Sequence, residues 1–91
     1  MPGARVNPDE LLRFARFLDD TVESLRQGNS SLNNSYNNLK EVWHDQKFQQ
    51  FAQVYDQTLP QIEIFCKNAE LYSQFLRDKE KPLRRYLDHN F

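Results

Sequence analysis

Leucine returns every seven residues through the first half of the chain, at Leu11, Leu18, Leu25, Leu32 and Leu39. Four residues after each stand Ala15, Val22, Asn29, Tyr36 and Trp43. That spacing is a helical seam held over five heptads, with Asn29 as its one polar lapse. The start is equally well marked. Asn7 is a suitable cap, Pro8 suits the first helical position, and Glu10 completes a capping-box pattern. A first helix is therefore expected over residues 8–43. Its weak stretch is "QGNSSLNNSYNNL", because Gly, Ser and Asn are poor helix formers. Two shorter helices joined near Gly28 to Ser31 are the alternative. The shared phase of Leu25, Leu32, Tyr36 and Leu39 favours one helix with a soft spot.

A second seam follows Asp45: Phe48, Tyr55, Ile62, Ala69 and Leu76, again at steps of seven. Phe51, Ala52, Leu59, Phe65, Cys66 and Tyr72 run beside it, so the apolar arc is wider than one neighbouring helix needs. The spacing predicts a second helix over 46–81, kinked at Pro60 and ended or redirected at Pro82, with 82–91 as a short tail. The arms 8–43 and 46–81 match in length around a turn at 44–45, where Asp45 is placed to cap the second helix. The expected fold is all-α: a two-helix antiparallel hairpin, one domain over 1–91. Val54, Ile64, Leu71 and Phe75 add apolar area that one hairpin cannot cover against itself. Dimerisation into a four-helix bundle is the expected remedy. The core and dimer interface is expected to comprise the five leucines with Phe48, Phe51, Tyr55, Leu59, Ile62, Phe65, Tyr72 and Leu76.

Composition narrows the function. With 12 basic and 13 acidic residues the 91-residue chain carries a formal charge of −1, which leaves no footprint for nucleic acid or an anionic membrane. Only 2 Gly and 4 Pro leave little turn chemistry for a many-stranded β fold. No apolar run is long enough to insert in a bilayer, and "MPGARVNPDE" lacks the apolar core of a signal peptide. A cytoplasmic location is expected, with export that needs no cleaved signal peptide left open. The single Cys66 permits no internal disulfide and suits a small buried role on the core stripe.

Chemical sites are scarce. Glu41-Val-Trp-His44 has the Glu-x-x-His spacing that di-iron bundles use twice, but one copy reads better as a helix terminus with a well-placed histidine. Lys79, Lys81, Arg84 and Arg85 cluster with Arg77, yet Asp78 and Glu80 interleave and a solvated helix end is favoured. No phosphate loop, zinc-ligand spacing or paired carboxylate cleft occurs. No enzyme activity, metal or cofactor is expected. The expected partner is a protein, as a homodimer or a heterodimer with a similar hairpin.

The central Trp43, the equal arms and the leucine seams resemble the WXG family of small type VII (ESX) secretion proteins. Its members are helical hairpins with a Trp-x-Gly turn at mid-chain that pair as antiparallel dimers. Here the turn motif reads Trp43-His44-Asp45, with Asp where the family has Gly, and Phe51 stands at the large apolar position eight residues on. The family's Tyr-x-x-x-Asp/Glu export signal is missing, since Tyr72 is followed by Leu76 and Tyr86 by Asn90. The resemblance implies a secretion substrate, adaptor or chaperone. A needle- or filament-type structural subunit and a cytosolic scaffold hairpin unrelated to secretion are the alternatives.

Overall fold

The computed structural model describes residues 7–89, and the expected tail's Asn90 and Phe91 lie outside that range. Two helices fill it, α1 (Pro8–Lys40) and α2 (Gln46–His89), packed along each other as an antiparallel pair. Asn7 caps α1 from extended backbone, its Oδ1 accepting from the Asp9 N–H at 2.8 Å. Glu10, which the sequence pattern would return to the cap, is engaged by Arg13 at 2.8 Å. The Asn- and Ser-rich stretch is helical throughout, so the reading of two shorter helices joined near Gly28 is set aside.

Three boundaries differ from expectation. α1 stops at Lys40, and Val42 and Trp43 close onto the Leu39 carbonyl at 3.0 and 2.9 Å. The reversal therefore spans residues 41–45 instead of 44–45. No described residue has positive φ, so the chain turns without the left-handed residue that usually ends a helix sharply, and it needs more length to do so. At the far end, α2 does not stop before Pro82. It continues to His89, and residues 82–89 of the segment expected as a separate tail are its last two turns. A proline there forfeits one backbone bond, but Leu83 and Leu87 are half-buried and Arg84 holds Asp9 at the start of α1 at 2.7 Å. Pro60 likewise lies inside the helix without ending it.

The core forms two clusters along the seam. Val22, Cys66 and Ala69 are buried with Leu18, Leu25 and Ile62 packed around them. Nearer the turn, Tyr36, Phe48 and Tyr55 are buried against Trp43, Ala52 and Leu59. Ala15 and Cys66 are fully covered, and such small side chains let the helices approach closely.

Candidate interaction surface

At the turn, Asp45 makes the restart of α2. Its Oδ1 accepts from the Phe48 N–H at 2.9 Å, three residues into the new helix. The Trp43 indole and then that backbone N–H hold the Asp45 carboxyl below the ordinary carboxylate range. His44 donates from Nε2 to the Glu41 carbonyl at 3.1 Å, covering an end group of α1. The Trp43 ring meets Phe48 at a tilt of 53°, with centroids 5.2 Å apart, and Tyr36 stacks on Tyr55 at 4.0 Å. Burial pushes the Tyr36 hydroxyl above its usual range. The Trp43-His44-Asp45 motif thus acts as a structural clasp: His44 and Asp45 each cover a helix end, and the Trp43 indole bonds the Asp45 carboxyl. Among the described residues no group of three or more His, Cys, Asp or Glu is arranged to hold a metal.

The two long sides of the hairpin differ in chemistry. On one, Arg26 reaches Glu63 at 3.0 Å and Glu70 at 2.8 Å, and Arg77 pairs with Asp19. The Arg26 guanidinium holds the Glu70 carboxyl below its ordinary value, and the Ser73 hydroxyl does the same to Asp19. Arg84 spans Asp9 and Glu80, so two cations of the basic cluster, Arg77 and Arg84, are tied to carboxylates.

On the other side the leucine rail is only partly covered. Leu11, Leu18 and Leu25 are half-buried, while Leu32 is 50% and Leu39 36% exposed. The positions four residues on, Ala15, Val22 and Tyr36, take the buried places against α2. On α2, Phe48 and Tyr55 are buried, and Leu59, Ile62 and Leu76 are half-buried; Phe51, Phe65 and Tyr72 are exposed. At about 100° per residue, Leu25 and Leu32 lie roughly 80–100° round α1 from Ala15. Phe65 and Tyr72 lie roughly 100–120° round α2 from Cys66 in the same sense. Two antiparallel helices facing one another are related by a two-fold rotation, so the same sense places both rows on one face. Asp19, Arg26, Glu63 and Glu70 turn the opposite way. The hairpin has an apolar face and an ion-paired face.

A family model described as proteins of 100 residues with WXG (WXG100) matches residues 3–85. The chain belongs to the WXG100 family. Comparison with curated proteins and with solved structures returned no match. The match runs across both helices and the turn between them. Asp45, the departure from the motif that gives the WXG100 family its name, is the residue that caps α2. Sequence reasoning placed the turn motif but missed Ser73, whose buried hydroxyl donates to Asp19 Oδ1 at 2.6 Å and faces the Ala15 carbonyl at 3.3 Å. Its one signal was a serine seven residues after Cys66, in phase with the second seam.

Proposed function

We propose that this WXG100 hairpin is a non-enzymatic interaction module that pairs through its apolar face with a second hairpin, forming a four-helix bundle. In that form it serves type VII-like export as a substrate, adaptor or chaperone. The observation that carries the reading is the half-covered leucine rail. Leucines at heptad spacing flank the internal seam along the whole of α1, and the matching face of α2 offers Phe51, Phe65 and Tyr72 beside it. A row of that length is fitted by a helix pair of similar length. On the opposite face Arg26 and Arg77 are paired with Glu63, Glu70 and Asp19 within the hairpin, so that face has less to offer a partner than the apolar one. Family membership supports the export setting.

Size exclusion with light scattering tests the pairing. The expected mass is twice the 10.9 kDa of the chain, or that of a one-to-one complex with a co-encoded hairpin. Leu25→Gln with Phe65→Gln is expected to reduce it to the monomer. A wild-type chain that stays monomeric alone and with every co-encoded hairpin removes the proposal, and open-ended polymers point to the needle-type alternative. For the export role, the protein is expected in the culture medium of a producing cell and absent when the secretion ATPase is deleted.

A further inference from the structure

A second apolar surface lies elsewhere on α2. Ile64, Leu71 and Phe75 are 57%, 70% and 52% exposed. At about 100° per residue they sit roughly 140–180° round the helix from the fully buried Cys66, which is the outer side of the hairpin. A hairpin seated on the apolar face covers the flank near Phe65 and does not reach round to this line. The same outer line reads differently in the first half of α2, where it carries Gln46, Gln50, Gln53 and Gln57, all exposed. The switch from glutamine to large apolar residues at unchanged spacing marks the second half as a distinct surface. Between Asn68, Leu71, Tyr72 and Phe75 there is a shallow depression of about 360 Å³, and Lys79 lies over the Phe75 ring at 5.5 Å as a cationic rim.

We propose that this outer line of α2, from Ile64 to Phe75, is a second docking surface that takes one short amphipathic helix of a different protein. The steps Ile64, Asn68, Leu71, Phe75 are four, three and four residues, the spacing at which one helix receives the anchors of another. The area argues against a second copy as the occupant. Three or four half-exposed large side chains offer roughly 400 Å². A stable pair of folded chains needs about 800 Å² on each partner. A single helix of three or four turns, placing one or two apolar side chains in the depression, is matched to the smaller figure. Lys79 at the rim selects a carboxylate on the incoming helix near the Phe75 end. Tyr72 stands at the edge of both surfaces, whereas Ile64, Leu71 and Phe75 lie outside the face proposed to pair hairpins, and the inference rests on those three.

A display library of helical peptides of about five turns, randomised along one face and selected on the full chain, tests it. Selected peptides are expected to bind the wild type and a Phe51→Gln, Phe65→Gln variant alike. They are expected to lose at least about tenfold in affinity for Leu71→Gln, Phe75→Gln. Both variants alter exposed side chains, and circular dichroism verifies that each is folded. The proposal is overturned if no peptide is enriched, or if the enriched peptides lose binding to the Phe51, Phe65 variant instead. It is also overturned if Leu71→Gln, Phe75→Gln lowers the mass seen by light scattering, because the surface then belongs to a contact between copies. A wild-type chain that is monomeric yet binds peptides in the expected pattern removes the pairing reading and leaves this one standing.

Discussion

Ser73 and Asp45 each hold one fixed point of the hairpin, and each does so through a single oxygen. The Ser73 hydroxyl is buried between the helices and shared between Asp19 and the Ala15 carbonyl, so it fixes the register of α2 on α1. Ser73→Ala removes a buried donor to a carboxylate and is expected to cost about 1–2 kcal/mol in urea unfolding. Asp45 acts at the other end, and its effect depends on pH. Its folded carboxyl titrates below the ordinary value, as do those of Asp9, Asp19 and Glu70. A depressed carboxyl contributes stability that is present above the unfolded value and is lost as pH falls through the folded one. Thermal midpoints are therefore expected to hold from neutral pH to about 5 and to fall steadily below about pH 4. Asp45→Asn keeps an N-cap acceptor and removes the titrating group, so it is expected to flatten part of that fall. An equal acid dependence in wild type and Asp45→Asn would show that the cap plays no part in it. Asn7 and Asp45 were legible as caps because a cap is local in sequence. Ser73 was not, since its partners lie more than fifty residues away.

At the scale of elements, a 3–4 seam fixes which face of a helix is buried but says little about where the helix stops. α1 was expected through Trp43 and ends at Lys40, because the chain needs the intervening residues to reverse without a left-handed residue. Proline misled the reading of α2 for a related reason. A proline costs a helix one hydrogen bond locally, whereas the contacts that outweigh it at Pro82 are tertiary: half-buried Leu83 and Leu87, and Arg84 bound to Asp9 on α1. The heptad spacing marks the leucine rail as core and dimer interface together, and it cannot say which leucines the single hairpin covers: Leu11, Leu18 and Leu25 are half-buried, Leu32 and Leu39 exposed. The last two turns of α2 thus steady the first turn of α1. Deleting residues 83–91 is expected to leave the hairpin folded while freeing that turn. Amide exchange should quicken at Leu11 and Leu12 and stay slow near Val22. Loss of protection across all of α1 would mean that this segment is part of one cooperative unit with the core.

The whole molecule is long and thin, with extents of 68 × 26 × 14 Å and a radius of gyration of 20.3 Å. A compact chain of this length has a radius of gyration of about 12 Å. The thinnest dimension is one helix layer, so there is no interior beyond the seam between α1 and α2. Seating a second hairpin on the apolar face adds a layer about 10 Å away and doubles the mass with almost no change in length. Adding about 5 Å in quadrature to 20.3 Å leaves the radius of gyration near 21 Å. Joining two hairpins end to end displaces their centres by about the full length and raises it to about 40 Å, as in a head-to-tail assembly. X-ray scattering on the dimer fraction separates the two arrangements directly. The value near 21 Å is expected, with a thermal midpoint that rises with protein concentration because pairing stabilises only the folded state. A value near 40 Å would move the contact from the long apolar face to the ends of the hairpin. The uncovered half of the leucine rail would then have to be explained by something other than a paired bundle.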